Sequence, residues 1–409
     1  MSRIDTLTAG IAPSPFAGLG LSVIRTIASY AGKPVALRTE GEERRAHALT
    51  ETKRFTIAPP VRLPLGNRLF SLIDVPDYRS LPELRPELRT VWIGAGPLPE
   101  VLHRGFIGLA WLVRLGLLPS LAFLASLFHR VSSHWRWGEH RSGMFVWLTG
   151  SDAEGAVARE WYVVAEGDAG PSIPAMAAAA IVFRCLDGER PASGARPAGH
   201  DIELADYERF FAGRKIGTST REERVNIATL PLYRRILDNA FEELPPAIRR
   251  LHDIEKSIRA QGSARIERGR SPLARLAAAI IGFPKAGDDV PVEVSFGVAN
   301  GRETWRRTFA GKSFVSLQEE GTGRSARLLI ERFGPLAFAM AVVVAGGRLD
   351  LVMRRWTAFG IPLPLWMAPR MTAHEREENR RFNFHVEIGH PLTGLIVRYR
   401  GWLEPVAEA

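Results

Sequence analysis

The stretch RFNFHVEIGH, residues 381–390, decides how the second half of the chain folds. Phe382, Phe384, Val386 and Ile388 take alternate positions, and Asn383, His385 and Glu387 stand between them. Successive side chains of a strand point to opposite faces, so a strand here has one apolar face and one carrying an amide, an imidazole and a carboxylate. The same period of two recurs over 292–298, 303–309, 313–319, 325–332, 337–344, 350–359 and 394–403, which makes up to eight strands in all. Residues suited to tight hairpins separate them, as at Asn300–Gly301 and Gly346–Gly347. A meander of this kind closes into a barrel or wraps a helix, and either shape encloses a cavity. With the polar face inward, Asn383, His385 and Glu387 join Trp305 and Trp356 as a C-terminal pocket, His385 and Glu387 being its acid–base or ligand pair. With that face outward they are ordinary solvated residues of a half-buried sheet. Trp305, Phe309, Trp356, Phe359, Trp366 and the apolar stretch 361–365 serve equally as core or as the wall of a hydrophobic-ligand cavity.

Ahead of these strands, 232–244 and 247–258 read as amphipathic helices split by Pro245–Pro246, and 273–281 as a third. A chain of 409 residues exceeds the usual single core, so two domains are expected: 1–216, a linker over 217–230, and 231–409. Both are α+β. The first combines a mixed or antiparallel sheet with helices; the second is helix plus antiparallel β, barrel-like. In the first, strands are expected over 54–58, 69–75, 88–95, 144–149 and 160–166, and helices over 18–30 and 173–186. Residues 101–131 read as a long apolar helix or helix pair broken near Gly116 and Pro119.

Net charge is +10, but the basic residues are interleaved with acids and form no long run, so nucleic acid is an improbable partner. One cysteine, Cys185, excludes a disulfide framework, and the acid and prolines of the first residues do not make an export signal, so cytoplasmic residence is expected. His129, His134 and His140 are spaced by five and six and do not share a helical face, so no metal site is expected. Residues 105–128 hold thirteen Leu, Ile, Val or Phe around Arg114, with Trp135 and Trp137 beyond them. A helical hairpin either buried in the domain or touching a membrane surface accounts for them, the latter placing the chain peripherally at the inner membrane.

Several phrases carry a family resemblance: GIAPSPFAGLGLSVI from Gly10, LFSLIDVPDY from Leu69, WIGAGPLPEVLHR from Trp92, EHRSGMFVWLTG from Glu139 and AEGDAGPSIPAMAAAAI from Ala165. Residues 4–216 resemble the region that follows the NAD(P)-binding domain in bacterial saccharopine-dehydrogenase-like proteins. Residues 231–403, through phrases such as GRETWRRTFAGKSF and FNFHVEIGHPLTGLIVRYRGWLEP, resemble the domain of unknown function commonly fused behind that region. The resemblance implies an oxidoreductase portion of unknown substrate whose Rossmann unit would precede Gly10. No dinucleotide fingerprint stands in this chain: Gly18-Leu19-Gly20 has no strand before it, and Pro97 and Pro99 interrupt the run after Gly94-Ala95-Gly96. No cofactor is therefore expected in this chain alone, and NAD(P) is implied only with a nucleotide-binding domain or chain as partner. The resemblance also places His140 and Arg141 at an edge facing a substrate cleft, where they would bind an anion. Gly170 and Ser172, at the start of the 173–186 helix, would offer backbone donors to the same. The bland alternatives are a charged loop and a docking turn. The two readings of function are thus a redox-inactive portion of an oxidoreductase, and a peripheral membrane or apolar-ligand binding protein.

Overall fold

Two units make up the chain, Met1–Pro59 with Asn67–Arg224, and Pro60–Gly66 with Val225–Ala409. The computed structural model describes residues 1–406 apart from 61, 168, 197, 199–200, 225–229 and 256. In the first unit the elements run β1 (Arg3–Ala12), α1 (Leu21–Tyr30), β2 (Pro34–Thr39), β3 (Glu42–His47), β4 (Thr52–Thr56), β5 (Asn67–Leu72), α2 (Asp77–Leu84), β6 (Thr90–Ala95), α3 (Glu100–Arg114) and α4 (Ala125–His134). They continue with β7 (Arg141–Asp152), β8 (Gly155–Glu166), α5 (Ile173–Leu186), α6 (Leu204–Phe211) and β9 (Ile216–Arg224). Seven strands form one sheet in the order β4-β5-β6-β1-β7-β8-β9, in which only β1 and β6 run parallel.

The expected linker at 217–230 is corrected here. Residues 216–224 are the edge strand β9, held to β8 through pairs such as Tyr162 with Ser219, and 225–229 lie outside the described residues. The polar run that read as a linker is an edge strand whose charges pair with β8, Glu222 with Arg159 and the buried Arg221 with Glu160. The long apolar stretch divides as its breakers require: α3 ends at Arg114, Gly116 takes a positive φ of 75°, and α4 begins after Pro119. Among the described residues no helix is long and apolar enough to cross a membrane. Ala28, Ala110 and Ala125 are fully or almost fully buried where α1, α3 and α4 meet, and Phe106 and Phe128 pack edge to face beside them.

Gly10 at the centre of the sheet shows why the chain opens with a glycine-bearing strand. A Cβ there would stand 2.4 Å from the Phe145 ring and 2.8 Å from the Phe70 ring. Those rings meet edge to face at 5.5 Å, with Phe55 against Phe145 at 4.8 Å. Gly10→Ala should therefore overpack this cluster and lower the stability of the first unit by about 1–3 kcal/mol. An unchanged urea midpoint would show that the rings yield without strain.

The second unit begins with two short helices, α7 (Leu232–Leu237) and α8 (Pro246–His252), joined through a 3-10 turn, Asp238–Glu243. Then come β10 (Ser257–Arg268), α9 (Pro272–Ile281), β11 (Gly287–Ala299), β12 (Arg302–Phe309), β13 (Lys312–Glu320), β14 (Leu329–Phe333) and β15 (Leu336–Ala345). The chain finishes with β16 (Arg348–Ala358), a three-residue β17 (Ile361–Leu363), β18 (Arg370–Glu378), β19 (Arg381–His390) and β20 (Gly394–Pro405). Every pairing is antiparallel, β15 pairs with β16 and β20 returns to β10, so ten strands close into an up-and-down barrel with β17 as an appendage. Closure removes the free edges that an open meander would expose. Asn300–Gly301 and Gly346–Gly347 both take positive φ at two successive residues, as two-residue hairpin turns need.

Two differences from the sequence reading have physical causes. The helix read over 247–258 stops at His252, and 257–268 form β10, whose buried positions include the small Ala260 and Ala264. A Cβ on Gly262 would stand 1.8 Å from the Trp402 carbonyl oxygen, so the close approach of β20 requires glycine there. Residues 370–378 form β18, whose polar sequence RMTAHEREE hides its strand period.

Candidate functional site

Strand parity fixes what faces the barrel interior. On β19 the cavity wall comprises Phe382, Phe384, Val386 and Ile388; on β12 it comprises Trp305, Arg307 and Phe309; on β18 it includes Met371, Ala373 and Glu375. Apolar side chains predominate, yet they leave a cavity of ≈ 350 Å³. Interiors pack closely, so an unfilled space of that size is unusual for a structural core.

One end of the barrel is stopped by α7 and α8. Tyr233, Ile236, Phe241, Ile248 and Leu251 are buried there and share a core with the inner wall of the barrel. These helices bring polar groups inside. The Tyr233 hydroxyl donates to Gln318 Oε1 at 3.1 Å, and Gln318 Nε2 donates to Glu331 Oε1 at 3.2 Å. Glu331 Oε1 also accepts from Ser316 Oγ at 2.7 Å and from the Arg307 guanidinium at 3.0 Å. Arg307 lies over the Trp305 ring, 4.8 Å from its centre. Beside this network the fully buried His252 ring meets Tyr233 at 3.9 Å between centres, and its Nε2 is 2.5 Å from Glu375 Oε2. Trp305 Nε1 donates to Glu303 Oε2 at 2.9 Å.

Burial sets the electrostatics of this end. It raises the Glu303 carboxyl above its ordinary range, against the lowering effect of the Trp305 hydrogen bond. It also holds the Tyr233 phenol far above its usual value and pushes Tyr399 up to about 12, so both remain neutral hydrogen-bonding groups. Arg307 is already paired with Glu331, and two further acids stand near, Glu375 against His252 and Glu303 against Trp305. Among the described residues, the arginine that lines this end of the cavity is thus already paired, beside neutral donors and acceptors.

The expected C-terminal pocket is divided by the barrel wall. Trp305 and Trp356 line the cavity. Asn383, His385 and Glu387 occupy the opposite parity of β19 and face outward, which corrects the inward arrangement. Asn383 Nδ2 donates to the carbonyls of Glu378 and Arg381, and Glu387 accepts from Arg398 Nε at 2.7 Å. His385 stacks on His374, 4.9 Å between centres, and partial burial lowers both imidazoles below their ordinary value. The sequence reading missed Arg307, Glu331, His252 and Glu375. The signal for Arg307, Glu331 and Glu375 was a charge on the apolar parity of a strand, as in Trp305-Arg306-Arg307-Thr308-Phe309; His252, at the end of α8, carried none.

In the first unit, His140, Arg141, Gly170 and Ser172 come together at one end of β7 and β8. His140 stacks on Phe16 at 3.6 Å, and Arg141 Nε donates to Glu139 Oε2 at 3.1 Å. A Cβ on Gly170 would meet Ser142 Oγ at 2.0 Å, and Ser172 Oγ donates to the Ala169 carbonyl at 2.7 Å. Gly94 is a packing glycine: a Cβ there would stand 2.3 Å from the Trp92 ring. A separate cleft of ≈ 420 Å³, lined by residues of α1, α3 and α4 such as Ile24, Phe106, Leu109 and Leu127, ends at the buried pair Ser71 and His103.

Comparisons with known proteins bear on the second unit. No curated protein matches the sequence. No saccharopine dehydrogenase family matches the first unit. Among solved structures, a secretory abundant heat soluble protein from Ramazzottius varieornatus is similar at 9% identity, over 36% of this chain and 91% of that one, with a TM-score of 0.21. The fatty-acid-binding protein 1 of Echinococcus granulosus is similar at 10% identity, over 36% and 96% respectively, with a TM-score of 0.18. Residues 244–403 match the family described as a domain of unknown function, DUF4166, a match that runs from α8 into β20 and takes in all ten strands of the barrel.

Proposed function

We propose that the barrel binds an elongated apolar small molecule whose polar end is uncharged. The observation that carries this reading is the closed barrel with an apolar cavity of ≈ 350 Å³ ending on a buried hydrogen-bonding network. That volume is of the order of known small-molecule sites, about 300–1,000 Å³. Leaving such a space permanently empty would cost on the order of several kcal/mol by the measured dependence of stability on cavity volume. A ligand that fills it recovers that loss as binding energy.

The class of ligand follows from charge. A fatty carboxylate entering tail first or head first would need a cation, and Arg307 is neutralised by Glu331. The carboxyl of Glu375, also on the cavity wall, offers a fatty carboxylate no opposite charge. A hydroxyl or amide can instead donate to a carboxylate oxygen or accept from a phenol.

Calorimetric titration of the full chain with dodecanol and with dodecanoate at neutral pH tests this. Dodecanol is expected to bind tighter by about 30-fold or more, the factor that corresponds to about 2 kcal/mol, the low end for an unpaired buried charge. Val386→Trp, placed on the cavity wall, should abolish binding while the barrel still melts cooperatively. Failure of both ligands to bind the unaltered chain would sink the reading, and a preference for dodecanoate would overturn the assignment of the polar end.

A further inference from the structure

Helix α9 is packed inside out. Its small residues Ala274 and Ala278 are buried, whereas Leu273, Leu276 and Ile280, which share a face at helical spacing, are exposed, Ile280 to 77%. A helix on a globular protein ordinarily turns its large apolar side chains inward. The arrangement is held at both ends. Ser271 Oγ caps Ala274 N and donates to the Thr393 carbonyl at 2.7 Å, and past the left-handed Gly282 the Phe283 ring packs on Phe314.

Topology places α9 at the end of the barrel opposite α7 and α8. Antiparallel strands send alternate turns to alternate ends, so the turns near 300, 346 and 379 lie at the stopped end. Those near 310, 334, 359 and 391 lie with α9. This open end carries further exposed apolar side chains: Phe359 at 81%, Trp366 at 78% and Leu392 at 78%, with Ile361 beside them. Their chain neighbours Ile281, Trp356, Met367 and Thr393 line the cavity, so the rim and the cavity wall are one continuous apolar surface.

Basic residues predominate at this end. No Asp or Glu occurs over 268–287 or 351–374, while those stretches carry Arg270, Arg275, Lys285 and Arg370. The turn from Gly389 to Leu395 is likewise free of acids. The first acids beyond α9 are Asp288 and Asp289, and Asp288 faces Arg265 at 3.0 Å.

We propose that the open end of the barrel docks on an anionic phospholipid surface, its apolar rim entering the headgroup region and its cations pairing with lipid phosphate. Amphipathic insertion combines these two terms, burial of protruding apolar side chains and attraction to anionic headgroups. The proposal goes beyond the ligand reading and stands on the rim's own exposure and charge. Together they give the cavity a route to a lipid phase without passage through water.

Sedimentation of the full chain with vesicles of phosphatidylcholine, with and without phosphatidylglycerol, tests it. The chain should bind the anionic vesicles, more weakly as salt is added, and barely bind phosphatidylcholine alone. Ile280→Asp combined with Trp366→Asp should lower the partition coefficient by about tenfold or more and leave the melting temperature unchanged, since both side chains are exposed. Leu117→Asp with Phe123→Asp, in the equally exposed turn between α3 and α4, should have little effect. The proposal is overturned by absence of binding to anionic vesicles, or by binding that survives the rim substitutions, including binding lost only with the α3–α4 pair. It is also overturned if the rim substitutions merely dissolve a dimer that forms without lipid. Dodecanol titration of the rim variant in lipid-free buffer reads the cavity separately, so failure of docking and failure of ligand binding can be told apart.

Discussion

Arg307→Met should lower the stability of the barrel unit by about 3–5 kcal/mol, the usual consequence of stranding one member of a buried ion pair. Arg307 is the cation next to Glu331, and their side chains are only 14% and 9% exposed. With the guanidinium gone, Glu331 keeps hydrogen bonds from Ser316 and Gln318 but must hold its charge beside an apolar cavity. Adding Glu331→Gln should restore most of the loss, because a buried pair replaced by neutral groups is often close to neutral in stability. Hydrogen exchange of the β10–β20 amides in urea reads this unit by itself. A loss below about 1 kcal/mol, or a double variant as weak as the single one, would mean that the pair is solvated rather than buried. The single variant should also invert the chemistry of the cavity. Its polar end then presents carboxylates without their arginine, and a long-chain amine should displace dodecanol.

The same pair shows what could be read in the sequence and what could not. Alternation over 382–388 exposes an apolar face whatever the barrel does with it, and two-residue turns at Asn300–Gly301 and Gly346–Gly347 demand positive φ, so most strands of the second unit were legible. Which face turned inward was not legible at 382–388 alone, because a slip of one residue exchanges the two faces. Closure of the barrel decides it, and closure depends on β20 meeting β10 across more than a hundred residues of chain. β18 and β10 escaped notice, and in each an inward position breaks the apolar alternation: Glu375 within β18, Gly262 within β10. At both, a requirement of the fold overrides the local pattern: Glu375 is an acceptor for His252, and Gly262 makes room for the β20 backbone. The polar end of the cavity went unseen for the same reason. In the first unit the break of the apolar stretch into α3 and α4 was legible from Gly116 and Pro119. The role of Gly10 was not, because the rings it accommodates come from β5 and β7.

Acid should weaken the first unit through His103. The imidazole is carried on α3, is 5% exposed, and lies 2.8 Å from the Ser71 hydroxyl on β5, which is itself fully buried. Burial at the foot of the cleft pushes its pKa down from 6.5 to about 4, a pull that Glu100 opposes and Arg104 reinforces. A base whose pKa is lowered by folding is neutral in the native state while the unfolded chain already binds a proton. Stability from this group is therefore complete above the unfolded value and is lost as pH falls from about 6.5 to about 4. The shift corresponds to about 3 kcal/mol, at roughly 1.4 kcal/mol per unit. His103→Gln removes the titration and retains an acceptor for Ser71, so the stability difference between wild type and variant should shrink or reverse by that amount across the window. A difference that stays constant from neutral pH to pH 4 would refute the assignment, as would a ¹⁵N titration of His103 near the ordinary histidine value. The consequence reaches the cleft itself. At neutral pH the pair at its foot is uncharged, so the lining of Ile24, Phe106, Leu109 and Leu127 meets no ion there. Once His103 is protonated, a cation faces those side chains and water must follow it in. The cleft of the first unit thus keeps its apolar character only while His103 is neutral.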